Sequence, residues 1–219
     1  MKYFNTLPSI LTTDYSGNKI VLKNLLNRAV LLTQLSNNPL LYYTYAVQDG
    51  DTPETIAKKY YGDQYRYWIV LHGNKSMDPQ WDWPLTSRQF GDFIIQKYTN
   101  DTANAQNISA NSVSLSMVLS YTQGTLHHYE KIITTTDTIT QTQSVKTIEI
   151  DADTANQVIQ TTNTVTFNDG SQAKQSISLN PISIYDYENN LNESKRNIQL
   201  INSSYVLSME NELKSLMGT

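Results

Sequence analysis

The sequence predicts an α+β protein, and three observations carry that prediction. A strand, a capped helix and a second helix follow one another between residues 42 and 73. A Thr-rich stretch from 113 to 182 alternates short apolar pairs with polar residues. From residue 183 onward, apolar side chains recur at steps of three and four, as along one face of a helix.

Residues 1–41 read as an extended arm and a short helix. Pro8 fixes a kink in the arm, and Ser16-Gly17-Asn18 is a turn signal. Val21, Leu22, Leu25, Leu26, Ala29, Val30 and Leu32 lie close to a 3.6-residue period, which predicts an amphipathic helix over Ile20 to Leu35. Val30 to Leu35 also alternates, so a strand-rich segment is the alternative.

Residues 42–98 form the next module. Tyr42 to Val47 alternates as a strand, and Gln48-Asp49-Gly50 breaks it. Thr52 can accept the free N–H groups of a helix start, Pro53 suits the first helical position, and Glu54 sits near the positive end of the dipole. Ile56, Ala57, Tyr60 and Tyr61 share a face, and Gly62 closes the helix. A second helix from Gln64 to His72 carries Tyr65, Trp68 and Ile69 on its buried side and stops at Gly73-Asn74. Met77 to Leu85, with Pro79, Trp81, Trp83 and Pro84, is a rigid aromatic loop. Thr86 or Ser87 caps a further helix through Phe90, Phe93, Ile94 and Tyr98.

Residues 99–112 offer almost nothing to bury and read as a polar linker. In the β-rich region 113–182, Val145 to Ile150, Val165 to Phe167 and Ile177 to Leu179 are strands, with a hairpin turn at Asn168-Asp169-Gly170. Its apolar residues are few, so the sheet needs neighbours or the following helix to complete it. Residues 183–219 read as one long docking helix from about Asp186 to Met217, about 45 Å long at 1.5 Å per residue. Its narrow seam is Ile184, Tyr187, Leu191, Ser194, Ile198, Ile201 and Tyr205, continued after a four-residue step by Met209, Leu213 and Leu216.

Sixteen Lys and Arg against 20 Asp and Glu give a formal charge of −4, which does not steer a protein onto a polyanion. Nucleic acid is therefore not expected as a partner. With no cysteine, disulfides and thiolate metal sites are excluded. The first residues lack the apolar run and cleavage site of a signal peptide, and no run is long enough to span a membrane, so no membrane partner is expected either. Fifteen tyrosines supply contact area with a polar tip, which suits interfaces and cores alike.

The chemistry-bearing residues are sparse. His127, His128 and Glu130 cluster in sequence, but adjacent strand residues point to opposite faces and spacing places no third ligand beside them. No metal, cofactor or catalytic site is expected. Nucleophile elbows and phosphate-binding glycine loops do not occur.

Tyr45-Ala46-Val47-Gln48-Asp49-Gly50-Asp51-Thr52-Pro53-Glu54-Thr55-Ile56-Ala57, continuing to Gly62, resembles the opening of a LysM module, and Asn74 matches the Asn ending its second helix. In LysM modules a Pro-Gly turn and a second strand come next. Here Asp78-Pro79-Gln80-Trp81-Asp82-Trp83-Pro84-Leu85 takes that place. These segments, with Tyr60-Tyr61-Gly62-Asp63 and Trp68-Ile69-Val70-Leu71, resemble the baseplate wedge protein 53 family of T-even-type contractile-tail bacteriophages. So do Tyr3-Phe4 with Pro8, Asn24 to Arg28, His127 to Lys131, Tyr185 to Glu188 and Leu191 to Arg196.

The resemblance implies a non-enzymatic subunit of the virion's tail baseplate, assembled in the host cytoplasm. Such a subunit binds other wedge proteins and helps join adjacent wedges around the hub. Trp81, Trp83 and Leu85 are the expected contacts of the loop, although both tryptophans could equally cover the module's own core. Tyr187, Leu191, Ile198, Ile201, Tyr205, Met209 and Leu213 are the expected contacts of the seam, taken as facing a partner. LysM modules hold N-acetylglucosamine chains between two loops, so Gly50, Asp51, Thr52 and Asp78 would form a vestigial glycan groove. Peptidoglycan binding is the alternative function.

Overall fold

The computed structural model describes residues 2–27, 39–76, 78–167, 170 and 172–218. Its strands are β1 (Ser9–Thr13), β2 (Lys19–Lys23), β3 (Tyr42–Ala46), β4 (Leu126–Asp137), β5 (Gln143–Ile150), β6 (Thr162–Thr166), β7 (Gln172–Ser183) and β8 (Asn197–Ile201). Its helices are α1 (Pro53–Tyr61), α2 (Tyr67–Gly73), α3 (Pro79–Asp82), α4 (Ser87–Gln106), α5 (Leu115–Gly124), α6 (Ala152–Gln157), α7 (Ile184–Ser194) and α8 (Val206–Met217). The α+β class is as expected. The chain divides into two units, Met1–Ser87 with Asn192–Thr219, and Arg88–Leu191.

In the first unit, local chemistry sets α1. The Thr52 hydroxyl accepts from the Thr55 N–H, the Thr55 hydroxyl accepts from the Thr52 N–H, Pro53 opens the helix, and Gly62 ends it at φ +75°. That left-handed conformation is open to glycine at little cost. Ile56, Ala57, Trp68, Ile69 and Val70 from α1 and α2 pack over β3 and β8, which pair antiparallel from Tyr42↔Ile201 to Ala46↔Asn197. Ile198, Leu200, Ile201, Val206, Leu213 and Met217 belong to this same core. Asn74 ties the end of α2 to β8: its Nδ2 donates to the carbonyls of Val70 (2.7 Å) and Gln199 (2.8 Å), and its Oδ1 accepts from the Gln199 N–H (2.7 Å). Gly73 lets helix and strand approach, since a Cβ there would lie 3.3 Å from Ile201 Cγ1.

Three expectations change in this unit. Residues 19–23, expected to open a helix, form a strand paired with β1. The Asp14 carboxylate accepts from the N–H groups of Ser16 (2.9 Å) and Asn18 (2.8 Å), and Gly17 at φ +80° completes a turn that folds the chain back. The rest of the expected helix, residues 28–35, lies outside the described residues. The single C-terminal rod is broken: the helix stops at Ser194, β8 follows, and α8 begins at Val206. Strand pairing buries both Ile198 and Leu200, which no single helix face could do. Residues 79–82, read as part of a rigid aromatic loop, make one helical turn.

In the second unit the sheet order is β5-β4-β7-β6, with every neighbouring pair antiparallel. The expected strands at 145–150, 165–167 and 177–179 fall in or at the end of β5, β6 and β7. Of the expected hairpin turn, Asn168 and Asp169 lie outside the described residues. The expected linker 99–112 is the end of α4 followed by a short turn at Ala110–Ser112. Thr102 and Ala103 are buried, and the Thr102 hydroxyl donates to the Tyr98 carbonyl at 2.8 Å, so small polar residues serve as a packed helix face. Glu188 on α7 is buried and accepts from Tyr98 Oη (2.5 Å) and Lys97 Nζ (2.6 Å) of α4, which holds the Tyr98 hydroxyl well above its ordinary pKa, desolvation first and the carboxylate second. β4 carries a register shift between Leu126 and His128, so alternation fails there. His127 and His128, expected on opposite faces, bring their Nδ1 atoms to 2.8 Å.

Candidate interaction surfaces

The loop from Asp78 to Leu85 is a braced structure. The Asp82 carboxylate accepts from the Asp78 N–H at 3.0 Å, and the Asp82 N–H donates to the Asp78 carbonyl at 2.8 Å. Lys195 Nζ donates to the Trp81 carbonyl at 2.6 Å. Buried Asn192 holds Leu85 at both backbone groups, accepting from its N–H (2.7 Å) and donating to its carbonyl (3.2 Å). The helical turn separates the two tryptophans. Trp83 packs on the core and donates Nε1–H to the Asp51 carbonyl at 2.9 Å, whereas Trp81 stays 63 % exposed. Of this pair only Trp83 covers the module's core, and Leu85 is half-buried.

The residues of the expected glycan groove are occupied by the fold. Burial alone would raise the Asp51 pKa, but hydrogen bonds from Lys59 Nζ (2.7 Å), Tyr45 Oη (2.7 Å) and the Gln48 N–H (3.1 Å) hold it below the ordinary carboxylate range. Thr52 is engaged in capping α1, and Gly50 at φ +86° forms the turn. Asp78 is exposed and anchored through its backbone to Asp82.

The expected seam is divided. Ile198, Ile201 and Leu213 are buried in the first unit's own core, and Met209 packs against it. They are not free for a partner. Tyr205 stays exposed in the first unit and Leu191 in the second, while Tyr187 is half-buried with its ring stacked on His127. On the same face of α8 as the core residues Val206, Leu213 and Met217, Glu210 is buried and paired with Arg66 at 2.9 Å. Burial pushes its carboxyl pKa up, but Arg66 more than offsets that and leaves it below the ordinary value.

An exposed apolar hairpin escaped the sequence reading. In the β1–β2 hairpin Ile10 lies opposite Leu22, and Leu11 opposite Val21, so both faces carry apolar pairs. All four are exposed, as are Leu25 and Leu26 just beyond. The signal was present as β-branched residues flanking a Gly17 turn, but the 3.6-residue spacing of the leucines competed with it.

The family model described as "Base plate wedge protein 53" matches residues 38–216, most of the chain. Over 57 residues the chain is 33 % identical to "Baseplate wedge protein gp53" of Enterobacteria phage T4, a stretch covering 26 % of this chain and 29 % of that protein. No helix among the described residues is long and apolar enough to cross a membrane. The chain belongs to the base plate wedge protein 53 family, structural proteins of the phage tail baseplate.

Proposed function

We propose that the chain works as a structural joint of the baseplate wedge, binding other wedge subunits and helping to hold adjacent wedges together around the hub, without catalysis. The β1–β2 hairpin carries this reading. A two-stranded ribbon is marginal in water, and one with Leu11, Val21, Ile10 and Leu22 exposed on its two faces gains most from being covered by another subunit. Trp81 adds a second contact of different kind, a large side chain on a backbone that is already fixed, so little ordering cost opposes its burial at an interface.

The test is reconstitution of wedge complexes with Trp81→Ala and with the paired change Leu11→Ser, Val21→Ser. Loss of a buried aromatic anchor of about 2 kcal/mol corresponds to roughly 30-fold weaker incorporation, with an unfolding midpoint unchanged for Trp81→Ala. Incorporation at the wild-type level by both variants would refute the assignment of these surfaces.

A second reading follows from the first unit. Strand β3, helices α1 and α2, and strand β8 give a strand-helix-helix-strand order in space, which supports a LysM-like module whose second strand comes from residues 197–201 rather than from the loop after α2. The consumption of Asp51 and Thr52 by internal hydrogen bonds favours a module that keeps the shape without the sugar. Pull-down on insoluble peptidoglycan is expected to retain no more of this protein than of an unrelated control.

A further inference from the structure

Two residues at the start of β4 and one on β5 form a group of three potential metal ligands, of which strand alternation alone would have turned His127 away. Without the register shift between Leu126 and His128, His127 would face away from its neighbour. With it, the two Nδ1 atoms stand 2.8 Å apart, and Glu149 on β5 brings a carboxylate oxygen to 4.0 Å from His128 Nδ1. All three ligand atoms lie within 4.8 Å of one another. Glu149 reaches the site because it pairs with Glu130, two residues beyond His128, so the two side chains are diagonal neighbours on one sheet face.

The rings are also held. Tyr187 of α7 stacks on His127 with centroids 3.8 Å apart and planes inclined by 10°, and the His128 side chain is only 11 % exposed. We propose that His127 Nδ1, His128 Nδ1 and the Glu149 carboxylate bind a divalent first-row transition metal ion, with water at the remaining positions. Two imidazole nitrogens and one carboxylate suit copper, nickel or zinc, whereas magnesium and calcium call for all-oxygen shells. An ion about 2.05 Å from both nitrogens would see them at about 86°, which matches adjacent positions of a square or octahedral shell more closely than a tetrahedron. Because β5 is an edge strand, the ion would clamp that edge to β4.

The experiment uses the full chain without an affinity tag, stripped of metal and titrated separately with Cu²⁺, Ni²⁺ and Zn²⁺ by calorimetry. The protein has three histidines, so His72→Gln controls for the remaining one. One equivalent of Cu²⁺ or Ni²⁺ is expected to bind at micromolar concentration and to raise the unfolding temperature. Copper electron paramagnetic resonance should show coupling to two nitrogens. Glu149→Gln, an exposed change on the edge strand, should weaken binding by at least about 10-fold while leaving the circular dichroism spectrum unchanged. Binding should be lost in the double change His127→Ala, His128→Ala and kept in His72→Gln. Absence of binding by the folded wild-type protein, coupling to a single nitrogen, or unaltered affinity in the double variant would each overturn the site.

Discussion

Replacing Leu200 by Ala tests whether the C-terminal segment is part of the first unit's core or a surface kept for partners. Leu200 is 1 % exposed on β8, opposite Tyr43 in the β3–β8 ladder and among the apolar residues of the first unit. Leu-to-Ala changes at such sites remove transfer free energy and leave a cavity, together about 2 to 5 kcal/mol. The first unit has about 115 residues, and unfolding entropy of about 2 cal/mol/K per residue then gives a fall in midpoint of roughly 4 °C per kcal/mol. A drop of about 8 to 20 °C is therefore expected for the transition of this unit. Leu207→Ala on α8, where the side chain is 65 % exposed, is the matched control and should stay within about 0.5 kcal/mol of wild type. Differential scanning calorimetry of the isolated protein at neutral pH reads both. Equal, small shifts for the two variants would refute the placement of β8 in the core and restore the single docking rod.

Asn74→Ala removes three side-chain hydrogen bonds, two of which join the end of α2 to β8, at a cost of about 1 to 3 kcal/mol by urea unfolding, and Asn74→Asp should recover only the acceptor part of that loss. Glu210 has a folded pKa below its unfolded value, so its contribution is present above the unfolded pKa and disappears as pH falls through the folded one. Comparing unfolding free energies at pH 7 and pH 3 should show a smaller acid loss in Glu210→Gln than in wild type, and identical slopes would remove Arg66–Glu210 as a source of the acid sensitivity.

Much of the first unit was legible because its signals act within a few residues. Thr52, Pro53, Thr55 and Gly62 decide where α1 starts and stops through contacts of three or four positions, and the Tyr42 to Ala46 alternation suffices for β3. The candidate site was legible only in part. Trp81 and Trp83 were singled out as residue types, but a single turn of helix decided that one faces solvent and the other covers the core.

The C-terminal segment was ambiguous for a definite reason. Ile198 to Ile201 satisfies a three-residue helical step, while Ile198 and Leu200 satisfy a two-residue strand step, and only the presence of β3 as a pairing edge selects the second. That edge lies more than 150 residues earlier in the sequence, as the Tyr42↔Ile201 pair shows. The His127–His128 pair is a similar case, since strand alternation separates the rings and the local register shift against β7 reunites them.

By itself, then, the sequence determined the class, the capped helices, three of the four strands of the Thr-rich sheet and the family resemblance, all of which rest on residue type and short spacing, whereas the central strand β4 went unread. Tertiary structure decided which strand closes the sheet with β3, that the expected linker packs as helix, and which apolar side chains are core and which stay exposed. Those outcomes depend on long-range pairing and on the competition for burial, and neither has a local signature in the chain.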